Sequence, residues 1–188
     1  RNEFKLNQNV TFFVSFYPHD FTYDHTKNFD DFTIFSIPGY DFSITYNSFR
    51  RYNFCTFDKD NNAVYVNSNI ITNYKTNICV VLDNINDVIK VYQDGKLIGK
   101  EVFYKKIRSY DNEKYFYLGV GNPKRNDPPN SQYPNYFNGY ISTFAVYNCN
   151  LNDNEILEIS KNENNNLKEN FGDYISSQDL QLYYDPNF

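Results

Sequence analysis

Apolar and polar residues alternate with a period of two in short runs along most of the chain, at 10–17, 32–37, 42–46, 52–57, 63–66, 78–82, 88–92 and 115–120. Side chains on a strand point to opposite faces in turn, so this period predicts strands that each bury one face. The runs are rich in β-branched and aromatic residues and are bounded by Asn, Asp, Gly or Pro. Spacings of roughly 8 to 12 residues between such strands predict a sandwich or barrel. The clearest turn is Asp94-Gly95 inside Tyr92-Gln93-Asp94-Gly95-Lys96-Leu97. Asp-Gly accepts the positive φ angles of a type I′ turn, which predicts an antiparallel hairpin from 88–92 and 97–103.

One segment departs from period two. Asn152, followed three residues later by Glu155 and then by Ile156, Leu157 and Ile159, has the form of a capping box. It predicts one short helix over 152–161. The polar stretch 162–166 is a connection, and 180–184 returns to strand character, with Leu180, Leu182 and Tyr184 expected on one face. That last strand is expected to run beside an N-terminal strand at 1–6.

The order of elements from Ile78 onward carries a family resemblance. A strand Ile78-Cys79-Val80-Val81-Leu82 leads to the Asp-Gly hairpin and then to Tyr117-Leu118-Gly119-Val120-Gly121. After a long loop come Phe137-Asn138-Gly139-Tyr140-Ile141, the apolar-Tyr pair Val146-Tyr147, and Leu151-Asn152-Asp153-Asn154-Glu155-Ile156. This run resembles the laminin G-like and pentraxin-like domains of the concanavalin A-like jelly-roll superfamily. The family usually has a Trp in its early strand, where Phe16 or Tyr17 stands in this sequence. Residues 167–174 and Tyr184-Asp185-Pro186-Asn187 also resemble the end of the lectin-like jelly roll in clostridial neurotoxin heavy chains. The resemblance implies an all-β, two-sheet antiparallel jelly-roll sandwich.

Length and composition agree with one such domain over 1–188. At 188 residues and 22.4 kDa the chain can bury a substantial core without disulfides or metals. A net charge of -5 and the lack of a basic run argue against nucleic acid as a partner. No apolar run reaches the length of a membrane span. The chain has no Met, which is expected of a segment of a larger protein. Three cysteines cannot form a disulfide framework, and Cys55, Cys79 and Cys149 match no zinc spacing. Cys79, between Ile78 and Val80, is expected on the inner face of a sheet, with Cys149 more exposed. Asn9-Val10-Thr11 is a glycosylation acceptor only in a eukaryotic secretory route.

Catalytic chemistry is hard to assemble from these residues. Jelly-roll glycosidases set two carboxylates at even spacing on one strand, and no Glu-x-Asp-x-Glu occurs. Glu155 and Glu158 belong to the predicted helix, Glu155 as a cap. The only histidines, His19 and His25, share a loop with Asp20, Asp24, Asp30 and Asp31 whose spacing fits no regular zinc or EF-hand pattern, so no metal site is assigned there.

The remaining candidate is the long Pro-rich loop 122–136, since loops of this length are commonly functional. Tyr133 and Tyr136 offer flat faces to a sugar ring, and Asn122, Asn126, Asp127 and Asn130 can read hydroxyls. Packing of those tyrosines onto the sheet is the competing reading. No cofactor is firmly implied. The resemblance keeps calcium open, with oxygen ligands available in 126–130. It implies a non-enzymatic binding or adhesion module of a larger surface, secreted or particle-borne protein, with glycan or glycoprotein as the expected ligand and other domains of that protein as neighbours. The alternatives are a structural module packed in a larger assembly and a toxin-type domain docking at a lipid or ganglioside surface.

Overall fold

In the computed structural model, residues 9–18, 30–37, 40–46, 51–60, 62–68, 74–104, 117–119, 137, 139–161 and 180–184 are described. The strands are β1 (Asn9–Pro18), β2 (Asp30–Ile37), β3 (Tyr40–Tyr46), β4 (Arg51–Phe57), β5 (Ala63–Ser68) and β6 (Thr76–Asp83), followed by β7 (Val88–Gln93), β8 (Lys96–Val102), β9 (Tyr117–Leu118) and β10 (Gly139–Tyr147). The helix α1 (Asp153–Lys161) and the strand β11 (Leu180–Tyr184) complete them. One sheet has the order β11-β10-β1-β6-β7-β8 and the other β5-β4-β3-β2-β9, all pairs antiparallel. This is the two-sheet jelly-roll sandwich that the alternation and the resemblance imply. At 115–120, the described strand is Tyr117–Leu118 alone.

The space between the sheets is filled largely by phenylalanine. Phe12 of β1 lies 5.3 Å from Phe35 of β2 and 6.2 Å from Phe54 of β4, ring centre to ring centre. Phe35 in turn meets Phe144 of β10 at 5.2 Å. All four rings are buried, so each contributes roughly 1.5–3 kcal/mol by leaving water. Ile78, Val80 and Leu82 of β6 join them, as do Ile89 and Val91 of β7.

The six-stranded sheet is apolar on its other face as well. Phe13, Cys79, Val81, Tyr92, Ala145 and Tyr147 form a second cluster closed by Ile156 and Ile159 of α1. Cys79 is therefore buried, but beneath the helix and not on the inner face between the sheets. A run that is apolar at every position alternates between two buried faces, and the sequence alone does not say which face is which. Burial pushes the Cys79 thiol pKa up. Cys149 is half-buried.

The helix begins as its capping box requires. The Asn152 N–H donates to Glu155 Oε2 (2.9 Å), while the N–H groups of Asn154 and Glu155 donate to Asn152 Oδ1 at 3.0 and 3.1 Å. Two further bonds hold α1 to the sheet: the Tyr92 hydroxyl donates to Asp153 Oδ1 (2.7 Å), and Asn77 Nδ2 donates to the Ser160 carbonyl (3.0 Å). Asn77 also exchanges bonds with Asp94 of the hairpin turn, its N–H donating to Asp94 Oδ1 (2.9 Å) and its carbonyl accepting from the Asp94 N–H (2.8 Å). Asp94 and Gly95 have φ of 48° and 78°, as a type I′ turn demands.

The last strand and the glycosylation triplet complete the comparison with the sequence. The described neighbour of β11 is β10, and 1–6 lies outside the described residues. The pairing shifts between Val146 and Tyr147, so Leu182 pairs with Val146 and Tyr184 with Phe144, but Leu180 packs on the helix-side cluster. A bulge of one residue moves what lies beyond it to the other face, so Leu180 leaves the face expected of it. In the glycosylation triplet, the Thr11 hydroxyl is buried; it donates to the Cys149 carbonyl (2.7 Å) and accepts from the Leu151 N–H (3.1 Å).

Two outcomes are expected. A thiol reagent should modify Cys149 first and reach Cys79 only as fast as the native state opens, which mass spectrometry under native and denaturing conditions will resolve. Asp83 gives the second. Burial raises its pKa, but the Asn86 side chain, the N–H groups of Asn86 and Ile85 and the Asn150 side chain outweigh this and hold it below the usual carboxylate value. A lowered folded pKa adds stability above the unfolded value of about 3.9 and loses it as pH falls through the folded pKa. Asp83→Asn should destabilise by less than about 1 kcal/mol at pH 7, the charge being screened. In urea titrations the difference should shrink steadily below about pH 4.

Candidate functional site

Strand register fixes which connections share an end of the sandwich. Pro18 pairs with Gly139, Phe16 with Thr76 and Asp30 with Tyr46, so the strand ends bounding 19–29, 47–50 and 69–73 lie together. The strand ends bounding 120–136 lie there too, because the Gly119 N–H donates to the Ile34 carbonyl (2.8 Å) and the Phe137 N–H donates to the Gly119 carbonyl (2.8 Å). The second bond ties the two ends of the long loop to each other. Phe137 is also anchored from below, edge-on to the buried Phe16 ring at 5.6 Å.

All six residues expected to bind ligand, Asn122, Asn126, Asp127, Asn130, Tyr133 and Tyr136, lie outside the described residues. So do His19, Asp20, Asp24 and His25, while Asp30 and Asp31 pair in register with Tyr46 and Thr45 on β3. What the structure shows is the base on which the loop stands. Beside it, Tyr17 and Tyr140 face each other across β1 and β10, 43% and 67% exposed. Of the two residues that could fill the family's Trp position, Phe16 is the one in the core. Among the described residues no group of three or more His, Cys, Asp or Glu side chains is placed to hold a metal. Glu155 is committed to capping α1.

Sequence reasoning missed a second concavity, toward the opposite end of the sandwich. Strands β5 and β8 are edges of different sheets, and the seam between them opens into a cleft of about 350 Å³. Its lining includes the apolar Val64 and Phe103 and the polar or aromatic Asp58, Asn62, Tyr65, Glu101 and Tyr104. No motif spans residues that far apart in the chain.

These features define a two-sheet β-sandwich of the lectin type. The family model described as the concanavalin A-like lectin/glucanases superfamily, in its laminin G form, matches residues 2–157, and the chain belongs to that family. No curated protein sequence matches it. Solved structures share its fold. A proposed carbohydrate binding protein from Bacteroides ovatus is 14% identical, with a TM-score of 0.67 over 98% of this chain and 47% of its own. The chain thus spans about half the length of that relative. The carbohydrate-binding module (CBM40) of the Ruminococcus gnavus IT-sialidase, bound to α2,3-sialyllactose, is 14% identical, with a TM-score of 0.56 over 81% of this chain and 82% of its own. The binding domain of botulinum neurotoxin serotype G is 14% identical, with a TM-score of 0.55 over 83% of this chain and 36% of its own. No described helix is long and apolar enough to cross a membrane.

The loop base can be tested directly. A Cβ on Gly139 would run into the Tyr17 carbonyl oxygen and come within 2.8 Å of the Phe137 ring. Gly139→Ala should therefore cost about 1–3 kcal/mol in urea unfolding, and the Phe137 amide should exchange hydrogen faster than in the parent protein.

Proposed function

We propose that the chain is a non-enzymatic glycan-binding or adhesion domain spanning 1–188, acting within a larger surface, secreted or particle-borne protein outside the cell. The observation that carries this reading is the closed base of the loop 120–136, with Phe137 bonded to Gly119 and set edge-on to Phe16 beside the exposed Tyr17 and Tyr140. A base fixed in this way lowers the entropy lost when a loop closes on its ligand. Tyr133 and Tyr136 would stack on a sugar ring, and Asn122, Asn126, Asp127 and Asn130 would take its hydroxyls. Neighbours whose names include carbohydrate binding and a bound sialyllactose support the ligand class by analogy of fold. Calcium held by oxygens of 126–130 would be an accessory to the same site.

A glycan array decides. The expected result is a specific hit weakened about tenfold or more by Tyr133→Ala or Tyr136→Ala, since a stacked aromatic in a binding site is worth on the order of 1–3 kcal/mol. Loss of the hit on chelation would bring calcium into the site. A blank array with tight docking in the parent assembly would replace this reading with the structural one. Flotation with ganglioside-containing vesicles and no array hit would replace it with lipid docking.

A further inference from the structure

The cleft between β5 and β8 has a built shape. At one point the two edge strands nearly touch: a Cβ on Gly99 of β8 would lie 3.0 Å from Val66 Cγ1 of β5. The cleft lies further along the same seam, lined from Asn62 to Tyr65 and from Glu101 to Tyr104. Both of its sides are held. On the β5 side, the Asp58 carboxylate accepts from the N–H groups of Asp60 and Asn62 (2.9 and 2.8 Å) and from Asn62 Nδ2 (2.9 Å). On the β8 side, Phe103 turns into the core, 4% exposed, and its N–H donates to the Asp87 carbonyl (2.9 Å).

Two exposed tyrosines border this hollow, Tyr65 at 47% and Tyr104 at 96% exposure. Glu101 stands between them in the lining, and no hydrogen bond or ion pair engages its carboxylate among the described residues. Exposed tyrosines beside the apolar Val64 and Phe103, with carboxylate and amide acceptors in the same lining, suit a ring that is apolar on one side and carries hydroxyl donors at its edge. A volume of about 350 Å³ is at the small end for ligand sites, room for a short saccharide. The described lining has two carboxylates and no Lys or Arg, so an acidic sugar would meet like charge.

We infer that this cleft is a second saccharide subsite, separate from the loop 120–136, and that it takes neutral sugar rings and excludes acidic ones. The inference rests on the glycan reading for its ligand class but not for its location.

The test is an amide-resolved NMR titration of the full chain with D-glucose and D-galactose, each against its uronate, D-glucuronate or D-galacturonate. At least one hexose should shift Tyr65, Glu101 and Tyr104 saturably, with the matching uronate weaker by about tenfold. Tyr104→Ala should weaken the hexose by about tenfold, and Glu101→Gln should narrow the gap between hexose and uronate. Both positions are exposed, so the variants should fold as the parent does. No saturable shift at the cleft with either hexose, or a uronate that binds as well, overturns the inference. Shifts confined to 122–136 overturn it while leaving the loop reading standing. Cleft shifts alongside an array hit indifferent to Tyr133→Ala and Tyr136→Ala keep the cleft and remove the loop.

Discussion

Everything in this fold hangs on a relay of phenylalanine rings between the sheets. Phe54, Phe12, Phe35 and Phe144 come alternately from the five-stranded and the six-stranded sheet, with centres 5.2 to 6.2 Å apart. Tilted and edge-on ring pairs add about 0.5–1.5 kcal/mol each to the stabilisation from burial. The sequence has 18 Phe and no Trp, so no single large residue fills the interior. Several medium rings do so jointly, and Phe16 extends the same packing to Phe137 and the base of the long loop.

The second face of the six-stranded sheet makes different demands. Its apolar surface is covered by a helix of only nine residues, too short to be stable in isolation. Reciprocal capping at Asn152 and Glu155 and the bonds from Tyr92 and Asn77 hold it in place. Asn77 does three tasks at once, tying β6, the turn of the neighbouring β7–β8 hairpin and the last turn of the helix. Solved structures only 14% identical share the sandwich fold.

Much of the framework is legible in the sequence because it is written locally. Period-two alternation locates the strands, Asp94-Gly95 the hairpin, and Asn152 with Glu155 the helix start. What alternation cannot convey is which face is inward when both are buried, hence the placement of Cys79 beneath α1, or where a bulge resets the phase, hence Leu180. The β5–β8 cleft is invisible for another reason. Asn62 to Tyr65 and Glu101 to Tyr104 become neighbours only because two edge strands of different sheets come together at Gly99 and Val66. The loop residues Asn122 to Tyr136 were chosen by residue type, and the structure adds the anchored base at Gly119 and Phe137.

The position of β1 in the middle of the six-stranded sheet has a consequence for biosynthesis. Thr11 pairs with Val81 on one side and Tyr147 on the other, so β1 waits for partners made much later. At about 5–20 residues per second, the gap between Thr11 and Tyr147 is roughly 7 to 30 seconds. For about the first half of that interval a strand with Phe12, Phe13, Val14 and Phe16, covered on both faces in the fold, has neither of its neighbours. The nascent chain is then most exposed to wrong pairings, and a holding factor that binds aromatic segments would act on this strand first.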